Sequence, residues 1–241
     1  MHLREGTECQ DALGWKRLPG RLLLAVAADG AGSSSQGGQG AREAVTATLD
    51  RLERELPLDP GRWKELLKRA ATEARDHVLR FAGSSGMHAR ELASTLLAVI
   101  VSERDLAALQ VGDGTVAVRT DGGAIASVSG PPEREHLNET AFLTDAGAVE
   151  RASILRETLP LRGVALMTDG LQTIATDLVT GQPHGPFFDP LFQTVDLLPE
   201  QQSQSRIESF LGSNRVTERI DDDISLLIAS ISAEDRTGQG N

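Results

Sequence analysis

Apolar residues in this chain fall into runs of two kinds, short continuous stretches and longer segments at helical spacing. Residues 21–28 (Arg21-Leu22-Leu23-Leu24-Ala25-Val26-Ala27-Ala28) form a short stretch that stops abruptly at Asp29-Gly30. This is the pattern of a buried strand that delivers an aspartate to its exposed end. Residues 96–101 and 106–111 are similar stretches, separated by the turn-like Ser102-Glu103-Arg104-Asp105. Gly112-Asp113-Gly114 predicts a sharp turn into a strand over 115–119, and Asp121-Gly122-Gly123 a further hairpin. Strands joined by turns this short are expected to be antiparallel neighbours. Two more strands are predicted, over 163–168 running into Asp169-Gly170, and over 224–231 after Asp221-Asp222-Asp223.

Helical spacing dominates 41–56, where Ala41, Ala44, Val45, Thr48, Leu49, Leu52 and Leu56 share one face. The Gly- and Ser-rich stretch before it, 31–40, reads as a loop. A second helix follows, with Asp59 as N-cap, Pro60 at its first position and an inner face of Trp63, Leu66, Leu67, Ala70, Ala74 and Val78. Two such helices in succession predict a hairpin packed on a sheet. Further helices are expected around 171–179, 190–197 and 201–211. His184-Gly185-Pro186-Phe187-Phe188 reads as a loop whose aromatics either meet a partner or anchor the loop to the core. The tail from Ser232 is polar and expected to fray. With no internal repeat and no long linker, residues 1–241 read as a single α+β domain.

Composition adds a class. Of 241 residues, 39% are hydrophobic and 24% charged, as in ordinary globular proteins. A chain of this length can bury roughly 70% of its unfolded surface without disulfides or structural metals. The net charge of −11, from 35 acidic and 24 basic residues, argues against nucleic acid as a partner. The acidity serves solubility, or places carboxylates around cations, or both. The single cysteine, Cys9, excludes an internal disulfide and suggests a reducing cytoplasm. There is no apolar run of membrane-spanning length, and the first residues lack the apolar core of a signal peptide. A cytoplasmic monomer without membrane contact is expected.

Three predicted strands meet an aspartate at one end, Asp29, Asp169 and Asp222, and Asp113 lies in a turn between two more. Carboxylates at strand ends beside glycines suit a hard divalent cation, which prefers oxygen ligands and keeps several waters. Two such ions about 4 Å apart can clamp a phosphoryl group and acidify a shared water. Asp-Gly pairs also make ordinary turns, so spacing alone leaves both readings open.

The motifs taken together are more specific. In order they are Cys9-Gln10-Asp11-Ala12, Val26-Ala27-Ala28-Asp29-Gly30-Ala31-Gly32, Ala93-Ser94-Thr95-Leu96-Leu97, Gln110-Val111-Gly112-Asp113-Gly114, Asn138-Glu139-Thr140-Ala141-Phe142-Leu143, Leu166-Met167-Thr168-Asp169-Gly170-Leu171 and Asp221-Asp222-Asp223-Ile224-Ser225-Leu226. Over nearly the whole chain this resembles the metal-dependent type 2C Ser/Thr protein phosphatase family, and more closely its bacterial branch. The resemblance implies a four-layer α-β-β-α sandwich, two antiparallel sheets flanked by helix pairs. It implies two Mn2+ or Mg2+ ions, with Asp29 bridging both, the Gly30 carbonyl on one, Asp169 and Asp222 on the other, and Asp11 acting through coordinated water. Asp11 could instead be a plain surface carboxylate, and Asp221 or Asp223 could take the place of Asp222, since neighbours in a strand point to opposite faces. The implied reaction is hydrolysis of phosphoserine and phosphothreonine by a metal-bridging water, in opposition to a bacterial Ser/Thr kinase.

Several residues depart from the family pattern. Ala31 stands where eukaryotic relatives carry a histidine proposed to protonate the leaving group. Thr173 replaces the aspartate that, with the Asp113 and Asp169 equivalents, forms a third-metal site in many relatives, so a third ion would bind weakly or differently. Gln10 replaces an acidic residue, as is usual in the bacterial branch, and Arg4 is a candidate for the phosphate-binding arginine. Cys9 has Trp15, not arginine, where a cysteine-dependent phosphatase loop would need one. Gly37-Gly38-Gln39-Gly40 lacks the ending of a P-loop, and His2, His77, His88, His136 and His184 show no paired ligand spacing. The alternatives to an active protein phosphatase are a phosphatase-like module that only docks a partner, and a hydrolase of small phosphate esters.

Overall fold

The computed structural model describes residues 9–128, 140–177, 180–220 and 222–231. In chain order its strands and main helices are β1 (Ala12–Leu18), β2 (Leu22–Ala28), α1 (Gly37–Glu55), α2 (Trp63–Ser84), β3 (Leu96–Val101), β4 (Asp105–Val111), β5 (Thr115–Thr120) and β6 (Ile125–Ser127). There follow α3 (Ala148–Arg151), β7 (Ser153–Thr158), β8 (Leu161–Met167), α4 (Gln172–Ala175), α5 (Gly185–Leu197), α6 (Glu200–Leu211), α7 (Asn214–Thr217) and β9 (Leu226–Ser230). The strands make two antiparallel sheets, one ordered β1-β2-β3-β4-β7 and one ordered β6-β5-β8-β9.

The layers follow from the two-residue period of the strands. In β2 and β3, Leu24, Val26, Leu96, Ala98 and Ile100 face outward and pack on α1 and α2. Their neighbours Ala25, Ala27, Leu97 and Val99 face inward and meet Val116, Val118, Val164 and Leu166 of the other sheet. Ala117, Ala165 and Met167 face out from that second sheet and are covered by Phe188, Leu191 and Phe192 of α5 and Ile207 of α6. The result is the expected α-β-β-α sandwich. The expected inner face of α2, Trp63 through Val78, is buried, and Asp59 caps the Pro60–Arg62 turn by accepting from Gly61 N at 2.9 Å.

Several elements differ from expectation. Residues 37–40 belong to α1 and not to the preceding loop. Their glycines answer to packing: a Cβ on Gly40 would lie 2.0 Å from the Leu92 carbonyl oxygen, and one on Gly30 would lie 2.3 Å from the Gly37 carbonyl carbon. The strands on either side of Gly112-Asp113-Gly114 are not paired, because this turn carries the chain from one sheet to the other. Gly112 makes that crossing at φ +96°. The helix expected over 171–179 ends at Ala175, and α5 begins at Gly185, with Pro190 inside it. Phe187 and Phe188 are therefore buried helical residues, not exposed loop aromatics. The edge strands β1 and β7 have no counterpart among the expected elements. No helix among the described residues is long and apolar enough to cross a membrane. The predicted frayed tail after 231, Arg4, His2, His136, Asn138, Glu139, Val179 and Asp221 lie outside the described residues.

Candidate metal centre

The site gathers where strand ends of both sheets meet. In the β1–β2 register Ala12 faces Ala28, so the next residues outward, Asp11 and Asp29, come side by side, and Gly30 N donates to the Gln10 carbonyl at 3.1 Å. Asp29 is held to the start of β3 by a reciprocal pair: its N–H donates to Thr95 Oγ1 at 2.9 Å, and Thr95 N donates to its carbonyl at 2.8 Å. The Asp11 and Asp29 carboxyls hydrogen-bond each other.

Thr168, the last residue before Asp169, joins the two sheets. Its hydroxyl donates to Asp11 Oδ2 at 2.9 Å and accepts from Ser225 N at 3.2 Å. The backbone of 168–170 lies directly on that of 222–225; a Cβ on Gly170 would fall 1.9 Å from the Asp223 carbonyl oxygen. Asp113 enters from the sheet-crossing turn, which is tied down at both flanks. Gln110 Nε2 donates to the Gly112 and Gly114 carbonyls at 2.9 Å each, Gln172 Nε2 donates to the Asp113 carbonyl at 2.7 Å, and Thr140 Oγ1 donates to Asp113 Oδ2 at 2.7 Å.

Asp222 and Asp223 divide as neighbours with opposite directions should. Asp222 is exposed and acts electrostatically on Asp29 and Asp169. Asp223 is buried and accepts from Gln10 N at 2.7 Å, which ties the segment before β9 to the residues before Asp11. Thr95, Thr140, Thr168 and Gln172 were not anticipated; nothing in their spacing marks a threonine or glutamine as a carboxylate's partner. Gln10, which departs from the family's acidic residue, has a role of its own here. With its amide oriented to suit its neighbours, its nitrogen donates to the Gly30 and Ala31 carbonyls at 2.9 and 3.2 Å. An ionised acid there could not do so.

The electrostatics are those of crowded like charges. Burial, then the hydrogen bond and charge of Asp11, then Asp169 and Asp222 push the Asp29 carboxyl up to about 9. Burial and the charges of Asp113, Asp222 and Asp11 raise Asp169 to about 6. Asp11 is also raised, first by burial, with Asp223 adding to the effect. Asp11 Oδ1 is buried without a hydrogen-bond partner. Among the described residues no group of three or more His, Cys, Asp or Glu side chains is arranged to hold a metal ion as it stands. The donor set fits a hard divalent cation in kind and number without forming a closed shell: carboxylates repel one another until a cation lies between them.

The protein phosphatase 2C family model matches residues 1–212. The chain belongs to the protein phosphatase 2C family. It is 34% identical over 241 residues to serine/threonine-protein phosphatase 3 of Escherichia coli strain K12, with 95% of this chain and 93% of that protein covered. A solved bacterial serine phosphatase matches at TM-score 0.68 and 14% identity, covering 93% of this chain and 92% of that one. The catalytic domain of the serine/threonine phosphatase PstP, solved with two manganese ions, matches at TM-score 0.61 and 14% identity over 92% of this chain and 91% of that one. At such identities these structures speak for the 2C fold. Within it, Ala31 presents only a buried methyl, and Thr173 is exposed on α4.

Proposed function

We propose that this chain is a protein serine/threonine phosphatase that hydrolyses phosphoserine and phosphothreonine monoesters with two Mn2+ or Mg2+ ions at the aspartate cluster. The observation that carries this reading is the convergence of Asp11, Asp29, Asp113, Asp169 and Asp222, where burial first and then Asp11, Asp169 and Asp222 push Asp29 up to about 9, and burial, Asp113, Asp222 and Asp11 raise Asp169. Asp29, the Gly30 carbonyl, Asp169 and Asp222 would hold the ions, Asp11 would act through water, and Asp113 would serve a weaker third position. Bound there, the ions supply Lewis-acid stabilisation of the phosphoryl group and an acidified water. The protein's part is orientation. Thr95 fixes the backbone of Asp29 and Thr168 holds the Asp11 carboxylate, which limits how far the cluster has to reorganise during the reaction. Ala31 offers no acid for the departing serine or threonine oxygen, a proton that a water held by the bound ions could supply.

In this reading the whole chain acts as one domain and as a monomer in the cytoplasm. Its substrates are made by serine/threonine protein phosphorylation, and a bacterial Ser/Thr kinase therefore opposes it. A docking-only module is disfavoured because Asp29 and Asp169 are both present. The test is hydrolysis of p-nitrophenyl phosphate and a phosphothreonine peptide with manganese, with chelator, and by Asp169→Asn. Metal-dependent turnover of both substrates, lost in the variant, supports the proposal. Turnover that survives chelator or the substitution refutes it, and no turnover with any metal favours the docking module.

A further inference from the structure

A groove of about 740 Å³ runs between α5, α6 and α7, floored by Phe187, Leu191, Ile207 and Val216. Its rim keeps apolar surface in the open, with Leu197 79% and Phe210 37% exposed. Sixteen residues line it, among them Arg206, Arg215 and Arg219 but no aspartate or glutamate. In a chain of net charge −11 that local sign is opposite to the average. The three guanidinium groups are exposed, and none makes an ion pair or hydrogen bond among the described residues. Arginines that stabilise the fold are usually paired with carboxylates, as Arg119 is with Asp196 and Arg51 with Glu73 in this protein. These three are held ready without such a partner.

The groove does not stop at the helices. A smaller hollow, sharing Ile174, His184 and Arg219 with it, continues to Thr173 and Thr176. Thr173 follows Gln172, whose amide holds the Asp113 carbonyl at the aspartate cluster. A chain segment lying in the groove would therefore lead to the site where the phosphate ester is cut.

We infer that this groove docks the acidic segment beside the phosphorylated residue of a substrate protein, its carboxylates on Arg206, Arg215 and Arg219 and an apolar side chain over Phe187 and Phe210. The inference rests on the phosphatase reading and narrows it to a substrate class. The carboxylate-rich catalytic end repels acidic peptides, so a separate cationic groove is what lets the enzyme accept them. Pro186 and Pro190 stiffen the α5 wall, which lowers the cost of ordering it on binding.

The test compares wild type with the Arg215→Glu/Arg219→Glu double variant in manganese. The substrates are p-nitrophenyl phosphate and two phosphothreonine peptides matched in length, one flanked by Glu and Leu, the other by Gln and Leu. The expected result is a preference of wild type for the acidic peptide. The variant should lose about tenfold in kcat/KM on that peptide through KM. Its p-nitrophenyl phosphate turnover, its rate on the Gln peptide and its melting temperature should be unchanged. Equal losses on all three substrates, or no preference in wild type, would overturn the inference. If wild type turns over nothing, the phosphatase reading has failed by itself. Fluorescence anisotropy of the unphosphorylated acidic peptide then decides: binding lost in the double variant upholds the groove, and no binding sinks it. Self-association of wild type that the double variant abolishes would assign the groove to a second copy and also overturn the inference.

Discussion

At the residue scale the aspartate cluster trades stability for function. Asp29, raised to about 9, keeps a proton in the metal-free folded state that the unfolded chain has already released at the same pH. Its contribution is fully present below the unfolded value near 4 and is lost as pH rises through 9. Asp169, raised to about 6, adds the same sign between about 4 and 6. The melting temperature of the protein in chelator should therefore fall between pH 5 and pH 9, about 2–4 °C for each kcal/mol in a chain of this size. Saturating manganese should flatten the fall, since the cation takes over the proton's role. A flat melting profile in chelator would show that the cluster is not under like-charge strain. Asp169→Asn should raise the melting temperature of the metal-free protein at pH 8 by relieving repulsion with Asp113, Asp222 and Asp11. The same variant should lose more activity than the roughly hundredfold typical when a supporting partner is removed. Thermal shift and peptide hydrolysis on one preparation check both halves of that prediction.

At the scale of elements, tight backbone approaches fix where the aspartates stand. Gly112 crosses between the sheets at φ +96°, and a Cβ there would sit 2.6 Å from Thr95 Cγ2, on the residue that holds Asp29. Gly112→Ala should cost about 1–3 kcal/mol in urea unfolding and lower activity as well, because Asp113 and Thr95 both shift. Leu66→Ala, in the fully buried helix layer far from the cluster, should cost about 2–5 kcal/mol and leave the activity of the folded fraction unchanged. The sequence was legible where burial is two-sided. β2 and β3 are continuous apolar runs, and β4 and β8 carry apolar runs over 106–109 and 164–167, because both faces are covered. β1 was not legible: Leu13 and Trp15 share a face with Ala27 and Ala25 but stay exposed at the sheet edge, so no apolar run marks the strand. β7, an edge strand with no fully buried residue, hid for the same reason. The start of α1 was misread because Gly37, Gly38 and Gly40 argue for a loop by propensity, whereas close approach to Leu92 and Gly30 requires them in a helix. Asp29 and Asp169 were readable from their strand ends and Asp113 from its turn, whereas Asp11 and the choice of Asp222 among its neighbours came only with the family resemblance. Their threonine and glutamine partners come from distant segments and become visible only once the sheets are folded.

At the scale of the whole molecule, five aspartates from five separated segments come together only when both sheets are in place. Metal binding and global folding are therefore coupled: divalent cation should stabilise the entire domain and not one loop. On the proposed function, the aspartate cluster and the cationic groove on α5–α7 would divide the labour between a carboxylate-rich catalytic end and an arginine-lined flank. The most direct test of the central claim is calorimetric titration of Mn2+ into the metal-free protein at neutral pH, with Asp29→Asn in parallel. Binding of two ions by the wild type, reduced or lost when the shared carboxylate is neutralised, is the predicted result. No binding by wild type, or the same binding by Asp29→Asn, would contradict the two-metal site.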